Sequence, residues 1–381
     1  MLGYGFQWID ESDIAAVVDV LKSNFLTQGP AVAKFEQELC QITGAKFCVA
    51  FSNATAALHI AVAALELGSD AEGITSPNTF LASSNCMVYN NVKPVFADID
   101  STSYNINPTE IENKITNKTK ILIPVHFAGL PCDMKKIYKI ASNHGLKVIE
   151  DAAHAIGSQY EDGSYVGCCK WSDMTVFSFH PVKTITTGEG GAITTNNEDL
   201  YHRLLMLRSH GTTKEPDLLT QNPGPWYYEM QMLGFNYRMT DIQAALGYSQ
   251  LQKLTHFKQR RREIIAQYNK AFESLKNVAT PVEPEGMSSC FHLYVIQIDY
   301  EVLGKDRAQV MKELQEKGVG TQVHYIPVHT QPYYQKTFGY AYGDYPVAEQ
   351  YYEKTLSLPL YPLMSDQDVD LVVRSVKEVI G

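Results

Sequence analysis

The chain opens MLGYGFQWIDESD, and nothing there sets a basic segment before an apolar one. Such a start predicts no secretory signal. No apolar run approaches the roughly 20 residues of a membrane helix. No C-x-x-C pair occurs among the cysteines at 40, 48, 86, 132, 168, 169 and 290, and their number is odd. Scattered thiols of this kind imply a reducing compartment rather than a disulfide framework. The adjacent Cys168 and Cys169 read as two small buried side chains. Basic blocks are scarce as well. The nearest is KQRRR at 258–262, which falls in a predicted helix and reads as a solvated face. With 32 Lys and Arg against 42 Asp and Glu, the net charge of −10 does not suit a nucleic-acid surface. Neither the P-loop pattern nor the dinucleotide fingerprint is present. The histidines are too dispersed to suggest a metal. These absences predict a soluble, cytoplasmic chain with no nucleic-acid or membrane partner.

What is present is long enough, at 381 residues, to fill two domains. Short apolar runs at 47–51, 73–76, 93–98, 120–126 and 146–151 alternate with helix-like stretches such as 54–67. That alternation predicts an α/β architecture whose mostly parallel sheet is covered on both faces. One long helix is expected from 241 to roughly 275, then a strand at 290–298, a helix at 306–317, a second strand at 319–325 and a terminal helix at 367–379. We read 1–250 as a large domain and 251–381 as a smaller α+β domain. Residues 212–233 carry three prolines and the adjacent Tyr227 and Tyr228, so they predict a long ordered loop, which in compact domains is usually functional.

Ligands of open α/β sheets sit at the carboxyl ends of the strands. Two residues stand out there. Lys183 lies in SFHPVKTITTGEGG (178–191), between a buried-looking strand at 173–179 and a glycine-rich turn that leads into another at 190–195. A lysine so placed is paired or chemically used, because a partly desolvated amine loses pKa and becomes a nucleophile. Asp151 ends the run LKVIEDAA (146–153). Alone it reads as a helix N-cap. Beside Lys183 it reads as the carboxylate that pyridoxal phosphate chemistry places on the pyridinium nitrogen. A phosphate cradle is expected where FSNATAA (51–57) passes from strand to helix, with Ser178 as a further hydroxyl. Phe80 follows another strand edge and has the shape to stack on a planar ring, although a lone Phe is more often core.

Taken in order, these segments resemble the sugar-nucleotide aminotransferases of the DegT/DnrJ type. The matching pieces include LTQG (26–29), SNATAAL (52–58), SPNTF (76–80), PVHFAG (124–129), EDAAH (150–154), SFHPVKTITTGEGG, GFNYRMTD (234–241), HLY (292–294) and VHYIP (323–327). The resemblance spans essentially the whole chain. It implies the aspartate aminotransferase fold (fold type I of the pyridoxal phosphate enzymes). Within the family the chain is most similar to the 4-aminotransferases of pseudaminic acid synthesis, on LTQG, His180, TITT (184–187), RSHG (208–211) and QVHY (322–325). It departs from that subgroup at Phe6, where the subgroup carries Tyr, and at Gly188, where it carries Ala.

The resemblance implies a role for each matching residue. Lys183 forms the Schiff base with pyridoxal 5'-phosphate and moves the Cα proton. Asp151 pairs with the ring nitrogen, His154 contacts the phenolic oxygen and Phe80 stacks on the ring. Ala54 and Thr55 hold the phosphate by their backbone and Ser178 by its hydroxyl. Asn236 reaches the phosphate of a neighbouring subunit, which makes a homodimer with shared sites. Phe6, Leu26, Thr27, Gln28, Gly29, Ala56, Ser178, Asn236, Gln322, Val323, His324 and Tyr325 line the sugar-nucleotide pocket, so residues 1–30 include a substrate-contacting segment. The implied substrates are L-glutamate and UDP-2-acetamido-2,6-dideoxy-β-L-arabino-hex-4-ulose. The alternatives are another 4-keto sugar nucleotide, of the legionaminic acid, bacillosamine or perosamine type, and a pyridoxal phosphate-dependent sugar dehydratase. The dehydratases replace the lysine by histidine, and here Lys183 is present.

Overall fold

The computed structural model describes residues 1–381. Its centre is a seven-stranded sheet of β1 (Phe47–Phe51), β2 (Glu72–Thr75), β3 (Lys93–Phe96), β4 (Thr119–Ile123), β5 (Lys147–Asp151), β6 (Met174–Ser178) and β7 (Gly191–Thr195). The spatial order is β1-β7-β6-β5-β4-β2-β3. Strands β2 to β6 pair in parallel, and β7 runs antiparallel to both of its neighbours. The mostly parallel sheet expected from the apolar runs is therefore found.

Both faces are packed. Leu122, Val148 and Phe177 join Phe35 and Ile137 on one side, while Ile121, Ile149 and Val176 join Ile60 and Leu204 on the other. Alternation along each strand sends neighbouring residues to opposite cores. This parity separates Glu150 from Asp151 at the carboxyl end of β5.

The long helix expected from 241 is two helices, Asp241–Leu251 and Leu254–Phe272, broken at Gln252 and Lys253. The first opens on a capping box, in which Thr240 accepts from the Gln243 backbone and the Gln243 side chain accepts in return. The second contributes Ile264, Tyr268 and Phe272 to a separate core with Val310, Leu314, Val369, Val372 and Val376. That core backs a small antiparallel sheet.

The small sheet corrects a second expectation. Residues 319–325 form no strand, and their strand-type pairings are limited to the isolated bridges Leu2–Val319 and Gln322–Ser357. Gly318, at a φ of 84°, and Gly320 suit a bracing segment better than a pleat. The partner of Tyr294–Ile298 is instead Thr355–Leu358, with Val278–Ala279 on the other edge. Four residues were too few to carry a periodic signal.

The 212–233 stretch is a twisted arm with a short antiparallel pairing of Thr212–Thr213 and Glu229–Met230. The Glu229 carboxylate accepts from Thr220, Gln221 and Tyr227, which ties the arm to itself. Trp226, Tyr228 and Leu233 remain exposed. No helix of the molecule is long and apolar enough to cross a membrane.

Candidate active site

Asp151 is 4% exposed at the end of β5. One oxygen accepts from the Ser83 hydroxyl at 2.6 Å, and the other from the Ala153 N–H at 3.1 Å. Lys183 lies in the turn after β6, where its N–H donates to the His180 carbonyl at 2.9 Å. No hydrogen bond or ion pair engages its Nζ. Burial pushes the ammonium down to about 8, and the charge of Asp151 pulls the other way. The amine is thus half unprotonated near pH 8, which an exposed lysine reaches only above pH 10.

Histidines gather around this pair. Burial, then the charges of Lys183 and His324, hold His154 well below the ordinary imidazole range, so it is neutral. Its Nδ1 accepts from the Ala128 N–H at 3.3 Å, and its Nε2 lies 3.0 Å from the Tyr325 hydroxyl. The His154 ring stands 4.5 Å from that of His292 and stacks at 6.0 Å on Tyr325. His324 is pushed down to about 3 by burial and then by Lys183, with Nδ1 2.8 Å from the Ser357 hydroxyl. Buried Arg261 donates to the carbonyls of Phe291, His292 and Leu360, and so braces the crossing that carries His292.

The expected cradle opens the helix Ala54–Ala63. Asn53 caps it by accepting from the Ala56 N–H at 2.8 Å. That leaves the N–H groups of Ala54 and Thr55 at a positive helix end, without acceptors. The first residue of β7, Gly191, passes so close that a Cβ there would lie 2.7 Å from the Ala54 nitrogen. Ser178, nearly buried, pairs with Gly191 across the sheet. An unpartnered amine, a buried carboxylate and free helix N–H groups together fit a phosphorylated pyridine aldehyde.

Other expected residues are spread around this centre. Ala56 is buried in the cradle helix. Phe80 is 58% exposed, with its ring 6.3 Å from Tyr325. Leu26, Thr27 and Gln28 are exposed on a segment pinned by Asp241, which accepts from the N–H groups of Gly29 and Ala31 at 2.8 and 2.9 Å. Phe6 is exposed near Tyr361. The Gln322 side chain accepts from the Val323 N–H at 2.9 Å. Asn236 is exposed and bridged to Ser209 through the backbone. One chain thus brings Lys183, Asp151, His154, His324 and Tyr325 together, while Phe6, Leu26 to Gln28 and Asn236 face outward.

Sequence reasoning gave no role to Ser83, His292 or Asp241. Ser83 sits one turn beyond Phe80 and His292 opens the HLY segment, but only the tertiary fold brings them to Asp151 and His154. Cavities of several hundred Å³ lie elsewhere. One of about 540 Å³ borders Lys34 and Tyr248, and one of about 360 Å³ borders Lys170 and Trp171. Chemistry rather than cavity size locates this site.

The DegT/DnrJ/EryC1/StrS aminotransferase family model matches residues 7–377. SpsC of Bacillus subtilis, a spore coat polysaccharide biosynthesis protein, is 42% identical over 380 residues, covering 100% of this chain and 97% of its own. Among solved structures, PseC of Helicobacter pylori, an aminotransferase involved in the biosynthesis of pseudoaminic acid, superposes with a TM-score of 0.92. It is 32% identical and covers 100% of this chain and 99% of its own. Spr1654 of Streptococcus pneumoniae, in its PMP form, gives a TM-score of 0.93 at 31% identity, covering 100% and 99%. The α/β fold is accordingly that of the fold type I pyridoxal phosphate enzymes. The chain belongs to the DegT/DnrJ/EryC1/StrS aminotransferase family and is a pyridoxal phosphate-dependent aminotransferase.

Proposed function

We propose that the chain moves an amino group from L-glutamate to the C4 ketone of a UDP-linked 4-keto-6-deoxy-N-acetylhexosamine. The substrate that fits best is UDP-2-acetamido-2,6-dideoxy-β-L-arabino-hex-4-ulose, used in pseudaminic acid biosynthesis. The observation that carries the chemistry is the free, pKa-lowered amine of Lys183 within the field of Asp151. Support for the substrate comes from full-length similarity to PseC and from QVHY and LTQG. A second reading, another 4-keto sugar nucleotide, draws on Phe6 and on the 42% identity to SpsC.

The residues divide the work as follows. Pyridoxal phosphate supplies an aldehyde that condenses with amines and a ring that withdraws electrons from the breaking bond. Ala54, Thr55 and Ser178 would hold its phosphate, and Phe80 would cover a ring face. Asp151 would pair with the ring nitrogen. Lys183 Nζ takes the proton from the α-carbon of glutamate and later returns one to C4 of the sugar. His154, which holds Tyr325, would contact the phenolic oxygen. Phe6, Leu26 to Gly29, Ala56 and Gln322 to Tyr325 receive the sugar nucleotide. We divide the chain into a large domain, 1–250, and a smaller one, 251–381, and the helix break at Gln252 and Lys253, just beyond that boundary, supports the division. The cytoplasm suits the scattered thiols.

Offering the purified protein glutamate and 4-keto UDP-sugars of both C5 configurations tests the substrate. Amination of the L-arabino ketone is expected, and a protein that aminates only the other epimer overturns that choice. The rate at which the apoprotein captures pyridoxal phosphate should rise with a midpoint near pH 8. A midpoint above 10 would mean that Lys183 behaves as an exposed lysine. Asn236, exposed in one chain, completes the phosphate site of a partner in this reading. Asn236→Ala should weaken cofactor binding about tenfold. Full activity from a monomer at high dilution would rule out shared sites.

A further inference from the structure

Next to Asp151 lies a fully buried carboxylate that the reaction does not use. Strand parity turns Glu150 to the opposite face of the sheet. Its Oε2 accepts from His126 Nε2 at 2.9 Å and from the Tyr160 hydroxyl at 2.5 Å. Its Oε1 accepts from the hydroxyls of Ser172 at 2.5 Å and Thr175 at 3.0 Å. Glu150, His126 and Thr175 are 0% exposed. The tautomer of His126 is set, because its Nδ1 accepts from the Cys132 N–H at 3.0 Å. Burial pushes the Glu150 carboxyl up, but the bonds from His126 and the hydroxyls outweigh it, and the group is held below its ordinary value.

The donors are distributed with a purpose that stability alone does not explain. An apolar cluster of the same volume is usually as stable as a buried ionic one. Here the four donors come from three segments near Asp151. His126 follows β4, and its N–H donates to the Asp151 carbonyl at 3.0 Å, while the Asp151 N–H donates to Pro124 at 2.9 Å. Thr175 is the β6 residue in register with Glu150, Ser172 precedes that strand, and Tyr160 lies on the segment that follows β5. One carboxylate thus ties three neighbouring strand ends together next to Asp151.

We propose that Glu150 is a positioning residue, which with His126 clamps the strand edge so that the Asp151 carboxylate is held in register opposite Lys183. This rests on the reading of Asp151 given above. A displacement of about 1 Å at such a group costs on the order of 100-fold in rate.

The test uses the full-length enzyme and three readouts. These are the single-turnover rate with glutamate, the affinity of the apoprotein for pyridoxal phosphate, and the pH titration of the bound cofactor's visible band. In Glu150→Gln the amide nitrogen can face Ser172 and Thr175, whose hydroxyls rotate to accept, so the rate should stay within about threefold. In Glu150→Ala the rate should fall about 100-fold with the KM for glutamate little changed, because a misplaced acid is a transition-state loss. Cofactor affinity should fall about tenfold and the band titration should move. A folded Glu150→Ala protein with native rate, affinity and titration overturns the proposal. If that variant does not fold, Ser172→Ala and Tyr160→Phe each remove one donor. A several-fold rate loss and a shifted titration in these supports the clamp, and native behaviour in both overturns it. Asp151→Asn is the control. If it is fully active, the reading of Asp151 falls and takes the clamp with it. If it is inactive while Glu150→Ala is native, the clamp alone falls.

Discussion

Lys183→Ala is expected to lose multiple turnover by at least about 10³-fold, because one side chain supplies both the nucleophile and the proton carrier. No other amine stands ready to replace it. The neighbouring imidazoles of His154 and His324 are held neutral, and both are already engaged, with Tyr325 and with Ser357. The variant should still bind pyridoxamine phosphate, since Asp151, Ser178 and the helix opening at Ala54 are untouched. Sustained transamination by the variant would sink the assignment. A stability measurement separates chemistry from folding. Burial lowers the folded-state pKa of Lys183 to about 8 from an ordinary 10.5. Between those values the unfolded chain binds more protons, so the stability of the apoprotein rises with pH across that window. Below it the buried ammonium is a full burden. Lys183→Ala should therefore unfold no earlier than wild type at pH 7, and the pH-dependent rise should vanish.

The sequence disclosed the parts of this molecule whose signals are local. Apolar runs bounded by turn residues marked all seven strands of the large sheet, and strand ends marked Lys183 and Asp151. Missed features depend on contacts between distant segments. Thr355–Leu358 is a strand only because Tyr294–Ile298 pairs with it. Gln252 and Lys253 break a helix in a stretch of good helix formers, where no glycine or proline announces the break. Ser83 reaches Asp151 across 68 residues of sequence, and no spacing rule connects them. Phe6, Leu26 to Gln28 and Asn236 are exposed in one chain, a placement that no local signal announces.

Asp151→Asn is the sharper probe of how the site works, because it changes charge and almost nothing else. The amide can still accept from the Ala153 N–H. Its nitrogen faces the Ser83 hydroxyl, which already has Thr79 at 2.7 Å as a second partner and can turn to accept. Packing and hydrogen bonding survive, so any loss measures the anion. An opposite charge in contact moves a pKa by 1–3 units, so the share of ring nitrogen that keeps its proton near neutrality should fall by up to about 10³-fold, and the single-turnover rate with it. The KM for glutamate should hardly change, since the carboxylate acts on the transition state and not on donor binding. The loss should shrink as the pH is lowered, because protons from solution then do what Asp151 did. A rate independent of the substitution at every pH would remove Asp151 from the chemistry and leave it as a cap on the segment after β5.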